Sequence, residues 1–134
     1  GEPAVRADML LKTAEYIKTN SGMSIRVNTN GLIHLIHKDF DLSRFKGLVD
    51  SVSISLNAPT AARYNEVTRP SFGEPAFDVM LDFAVKMKEL GIKTSFTVVD
   101  VISEEEISEC QRLADKLGIP LRVRSYVSDN ESYT

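Results

Sequence analysis

Asparagine, serine, threonine and arginine recur in this sequence where apolar runs stop, and such side chains can donate or accept hydrogen bonds at a binding rim. Asn28, Thr29 and Asn30 follow one run, and Ser55 and Asn57 close a second. Val99 and Asp100 end a third, and Arg124 and Tyr126 a fourth. A set that is polar but mostly neutral suits a ligand rich in hydroxyl, amide and carboxylate groups, with the Arg124 guanidinium as a forked donor to a carboxylate. Taken singly, an Asn or Ser here is equally explained as a turn former or helix cap. Taken together, the four groups point to a binding site.

The remaining reactive residue types carry less. His34 and His37 are three apart and could share a helical face, yet no carboxylate or cysteine beside them completes a metal ligand set. Glu104, Glu105 and Glu106 open a helix, where the dipole favours acids. Cys110, the single cysteine, falls on an apolar helical stripe and reads as core. One cysteine excludes an internal disulfide framework and any CxxC-type metal or cluster site within these residues. Neither GxxxxGK nor GxGxxG occurs, so nucleoside triphosphates are not indicated.

The elements that must position these residues follow from periodicity. Leu10, Leu11, Ala14 and Ile17 predict a helix over about 7 to 20, ended by Asn20-Ser21-Gly22. Ser24 to Asn28 reads as a strand, followed by a loop at Asn28 to Gly31. Leu32 to Ile36 predicts a short helical stretch. A looser one with Phe45, Leu48 and Val49 follows, up to Asp50, after a break at Lys38 to Asp41. Val52 to Asn57 alternates with period two and stops before Pro59. Thr60 to Val67 is a short helix, Arg69 to Gly73 a loop, and Pro75 starts a helix that closes at Gly91. Lys93 to Val101 is the third strand. Ser103 and Glu106 then form a capping-box pattern, ahead of a helix striped by Ile107, Cys110, Leu113, Ala114 and Leu117 and closed by Gly118. Leu121 to Val127 is the fourth strand, and 128–134 is expected to fray.

Strands that alternate with helices in this way must run parallel, which predicts an α/β fold whose sheet is either a barrel-like arc or an open twisted sheet. No linker divides the chain, so residues 1–134 are read as one domain. Composition agrees: 43% hydrophobic and 26% charged residues can build one ordinary core. A net charge of −3 without long charge runs argues against nucleic acid as partner. The apolar runs are far too short to span a bilayer, and nothing reads as a signal peptide, so no membrane partner and a cytoplasmic location are expected. The chain opens on Gly1 rather than methionine, so the natural N-terminus is expected elsewhere; truncation and proteolysis would both fit.

Five short motifs, in order, carry a resemblance. Gly1-Glu2-Pro3 with Arg6, Arg26 to Gly31, Ser53 to Pro59, Val98-Val99-Asp100, and Arg122 to Tyr126 resemble the middle of a radical S-adenosylmethionine (SAM) core. Within that superfamily the chain is most similar to the TatD-associated radical SAM proteins, whose strand-end asparagines and Arg-Pro-Ser-Phe-Gly-like loop it echoes at Arg69 to Gly73. Gly-Glu-Pro occurs again at Gly73 to Pro75, where it starts a helix, so the tripeptide gains meaning only from the motifs that follow it.

The resemblance implies the third to sixth units of a partial (β/α)6 TIM-type barrel. It also implies that the cluster-binding CxxxCxxC loop lies before Gly1. Gly1, Glu2 and Pro3 would then hold the amino group of SAM, and Glu2 is physically suited to an ammonium. Ser55 and Asn57 match the position that contacts ribose or the methionine carboxylate, and Asn28, Thr29 and Asn30 line the neighbouring strand end. Val99 would pack near the adenine, while Arg124 and Tyr126 would face SAM or substrate. The implied cofactors are SAM and a 4Fe-4S cluster, the cluster not being held by these residues alone. The implied activity of the intact protein is reductive SAM cleavage and hydrogen abstraction from an unknown substrate, with flavodoxin or ferredoxin as electron donor. This segment alone would be inactive, and its exposed sheet edge would favour self-association. The alternative is a non-catalytic α/β domain that binds a small polar metabolite.

Overall fold

Ala7, Leu11 and Ala14 recur at helical spacing and are all buried, so the first helix docks by one narrow stripe, with Leu10 packed beside it and Met9 and Tyr16 left exposed. In the computed structural model, which describes residues 6–68 and 75–125, this helix is α1 (Ala7–Ser21). The chain continues through β1 (Arg26–Thr29), α2 (Ile33–Ile36), a 3₁₀ turn at Leu42–Phe45 and β2 (Ser51–Ser55). It then forms α3 (Ala61–Thr68), α4 (Pro75–Glu89), β3 (Lys93–Val99), α5 (Glu104–Leu117) and β4 (Leu121–Arg124). Among the described residues no helix is long and apolar enough to cross a membrane.

The four strands form one parallel sheet in the order β1-β2-β3-β4. That order has a geometric consequence. Parallel crossovers are right-handed, so consecutive strands laid down in one direction put every connecting helix on the same face of the sheet. Burial follows that rule. Val27, Val52, Ile54, Phe96 and Val98 face the helices and join one buried cluster with Leu11, Ile33, Phe45, Met80, Phe83 and Ala114. The alternate residues Asn28, Ser53, Ser55, Ser95 and Thr97 lie on the other face and retain solvent contact.

The core is fixed by shape as well as by area. Phe45 meets Phe83 edge-on at 6.0 Å between ring centroids, and Tyr64 meets Phe77 at 5.5 Å. Edge-to-face pairs of this kind add roughly 0.5–1.5 kcal/mol beyond burial. The helix ends agree with the sequence. Ser103 accepts from the Glu106 N–H while the Glu106 carboxylate accepts from the Ser103 N–H, which completes the capping box of α5. At its other end Gly118 takes the left-handed conformation, and Lys88 donates to the Leu117 carbonyl.

Boundaries moved at several elements, β2 among them: it covers Ser51–Ser55 rather than Val52 to Asn57, because the chain turns at Leu56 to Ala58. The expected strand at Ser24 to Asn28 is displaced to Arg26–Thr29, because the Ile25 N–H is taken by the Asp50 carboxylate and the Ile25 carbonyl accepts from Asp50 and Ser51 instead. Helix was expected from Phe45 to Asp50; the structure has a 3₁₀ turn just before, started by Asp41, whose side chain accepts from the Ser43 N–H. β3 stops at Val99 with Asp100 and Val101 in a turn, and β4 stops at Arg124. Of the expected extension of β4, Ser125 is not strand, while Tyr126 and Val127 lie outside the described residues, as do the loop at Arg69 to Gly73 and the 128–134 tail.

Candidate functional site

The carboxyl ends of the strands gather the polar residues anticipated from the sequence, but not all on one side. Strand pairing sets Asn28 beside Ser53, Ser55 beside Thr97, and Val99 beside Arg124, so Asn28, Ser55, Val99 and Arg124 share the helix-free face. Thr29 points the other way. It is 8% exposed and its Oγ1 accepts from the Gly31 N–H at 3.0 Å. Asn30 stands at the turn, where its Oδ1 accepts from the Leu32 N–H at 3.1 Å. Thr29 and Asn30 therefore shape the loop after β1, the role that asparagine and threonine fill at turns. Gly1, Glu2, Pro3 and Tyr126 lie outside the described residues.

Gly31 is required by that loop. Its φ is 74°, and a Cβ added there would lie 3.3 Å from both Ile54 Cγ2 and Met80 Cγ. The chain thus leaves β1 pressed against the core, and Asn28 is carried at the last open-face position of the strand.

The sharpest feature lies at the end of the inner strand β2. Asn57 has a φ of 64°, the only positive value at a described residue other than glycine. It is the centre of a three-residue turn in which the Ala58 N–H donates to the Leu56 carbonyl at 2.8 Å. Leu56 and Ala58 are fully buried on either side, so the turn is held by its neighbours and Asn57 has no freedom to relax. Backbone in this region, held by packing, is characteristic of ligand sites. Leu56 also donates to the Thr97 carbonyl at 2.8 Å, which ties the turn to β3.

The rim is braced by charge. Arg63, in the first turn of α3, donates from Nε to Glu106 at 2.7 Å and from a terminal nitrogen to Glu66 at 3.1 Å. The Glu106 carboxyl is held below its ordinary range, first by the Ser103 N–H and then by Arg63. Arg63 is correspondingly shifted upward by its bond to Glu106. One carboxylate therefore caps α5 and grips α3, locking together two helix starts that border the strand ends.

Other candidates fall away from this site. His34 Nε2 lies 2.9 Å from the Phe40 carbonyl, while His37 caps α2 through its backbone N–H. No group of three metal-binding side chains occurs among the described residues. Cys110 is fully buried under α5, and burial, with Glu106 and Glu109 nearby, pushes its thiol up to about 11. It is an unreactive core residue.

Ser53, Ser95 and Thr97 were not singled out in the sequence, although they continue the hydroxyl and amide row of the open face. The signal was present as alternation, Ser51-Val52-Ser53-Ile54-Ser55 in β2 and Thr94-Ser95-Phe96-Thr97 in β3. The whole arrangement can hydrogen-bond hydroxyls and amides along the strands and meet a carboxylate at Arg124. A scan against protein-family models and a search of the curated proteins both return no match.

Proposed function

We propose that this chain is a section of a parallel β/α barrel of the radical SAM type, holding S-adenosylmethionine at the carboxyl ends of its strands. The observation that carries the reading is the held turn at Asn57, placed at the end of an inner strand whose open face is lined with hydroxyls and amides. Consecutive strand order with helices on one face is the arrangement of a barrel wall, which supports the partial (β/α)6 architecture.

The residues present suit the ligand. Ser55 and Asn57 offer donors and acceptors for ribose hydroxyls and the methionine carboxylate, and Asn28 extends them along the face. Arg124 supplies the cation for a carboxylate, and half-buried Val99 gives an apolar wall for the adenine. Were SAM held there beside a reduced 4Fe-4S cluster, the pair would supply radical chemistry for hydrogen abstraction, and the part of Ser55, Asn57 and Arg124 would be to bind and orient SAM. The cluster does not fit these residues: the single thiol, Cys110, is buried in the core. In this reading the thiolates come from residues outside these 134, and flavodoxin or ferredoxin delivers the electron.

A second reading, a non-catalytic domain that binds a small polar metabolite, is favoured by that same missing set of thiolates. One experiment separates the two. The protein carrying this segment is reconstituted anaerobically with iron and sulfide, reduced, and given SAM. Formation of 5′-deoxyadenosine is expected, and its absence sinks the radical reading. SAM binding by calorimetry that persists without turnover, and falls in Asn57→Gly, would then favour the binding domain.

A further inference from the structure

A cluster of cations occupies the opposite end of the open face. Arg26 of β1, Ser51 of β2 and Lys93 of β3 are register partners, so they stand side by side across three strands. Two strand spacings put the backbones of the two cations about 9–10 Å apart, within reach of one bound group for side chains of this length. Ser53 and Ser95 form the next layer, and Arg122 of β4 enters from the far edge as the partner of Thr97. These residues line a groove of about 350 Å³ that no described carboxylate enters.

The cations are uncompensated. Among the described residues Arg26, Lys93 and Arg122 form no ion pair and no side-chain hydrogen bond. Asp50, which precedes Ser51, is already engaged by Lys18 and by the Ile25 N–H, and those bonds hold its carboxyl below the ordinary range. Lone exposed cations are common on any surface. Three that converge on one groove, with serine hydroxyls between them and no acid, are a recognition pattern for an anion.

The chemistry narrows the anion. Arginine forks onto phosphate oxygens, lysine adds a point charge, and serine hydroxyls donate to the remaining oxygens. The groove is at the small end of the range for small-molecule sites and has no aromatic side chain in its lining, which disfavours a nucleic-acid strand. We propose that this groove binds a phosphorylated small molecule, gripped by Arg26 and Lys93 with Arg122 closing the far side. Arg26, Ser51 and Lys93 lie at the amino ends of the strands, whereas Arg122 stands in the row of Ser55 and Thr97; Arg26 and Lys93 are therefore the pair that separates this site from SAM binding at the carboxyl ends.

Calorimetric titration of the protein carrying this segment at low salt, with inorganic pyrophosphate in one arm and citrate in the other, tests it. Pyrophosphate is expected to bind at least about tenfold more tightly than citrate and to weaken as salt rises. In the double variant Arg26→Gln with Lys93→Gln, affinity is expected to fall at least about tenfold, while Lys116→Gln, outside the groove, leaves it unchanged. No pyrophosphate binding, citrate binding as tight, or a double variant that binds like the parent would each overturn the proposal. If the double variant fails to fold, backbone amide NMR shifts on the parent chain decide instead. Shifts centred on Arg26, Ser51 and Lys93 support the site, and shifts elsewhere refute it.

Discussion

The two faces of the sheet are built from the same strands, residue by residue, and obey opposite rules. On the covered face Ile54, Phe96 and Val98 are wholly buried beneath the helices, where a polar atom without a partner is costly. On the open face Ser53, Ser55, Ser95 and Thr97 contact solvent and bear little of the folding energy. Alternation along a strand thus separates stability from recognition, one residue at a time.

The most demanding way to break this contrast is at adjacent positions. Phe96→Ala removes a fully buried ring and is expected to destabilise by about 3–5 kcal/mol in urea unfolding. Thr97→Ala, one residue along and on the open face, is expected to stay within about 0.5 kcal/mol. Equal losses would mean that the faces are not distinct. A smaller effect tests the loop between them. Gly31→Ala forces an L side chain to a φ of 74° and crowds Ile54 and Met80, so a loss of about 2 kcal/mol is expected from the same measurement. No loss would show that the turn after β1 relaxes freely.

The mildest test uses pH. Asp50, held low first by Lys18 and then by the Ile25 N–H, and Glu106, held low first by the Ser103 N–H, both have depressed carboxyl values in the folded protein. Such groups favour folding above the ordinary carboxylate range, and that contribution is lost as pH falls through their folded-state values. Thermal stability is expected to be level from pH 7 to about 5 and to drop below about 4. Asp50→Asn should flatten part of that drop, and an unchanged profile would remove Asp50 from the account.

Much of the fold was legible because each element declares itself locally. The Ser103 and Glu106 capping box, Pro75 at a helix start, Gly118 past a helix end and the alternation of β2 all act within a few residues. What stayed hidden depends on register. Asn28, Thr29 and Asn30 read as one polar patch in sequence, yet the pleat sends Thr29 into the core and the turn engages Asn30. Arg26 and Lys93 are far apart in sequence and come into one row only because parallel pairing aligns both with Ser51, while Arg122 joins the same groove from the row of Thr97. The left-handed backbone at Asn57 likewise has no local mark beyond asparagine's tolerance for it, since burial of Leu56 and Ala58 imposes it.

Consecutive strand order also bears on how the chain acquires this structure. Each strand pairs with the one made just before it, so every sheet contact closes a loop of a single β/α unit and the topology has low contact order for a parallel sheet. During synthesis, β1 is already available when β2 emerges, and β2 when β3 does. The sheet can therefore assemble in the direction of translation, strand upon strand, without waiting for a distant partner.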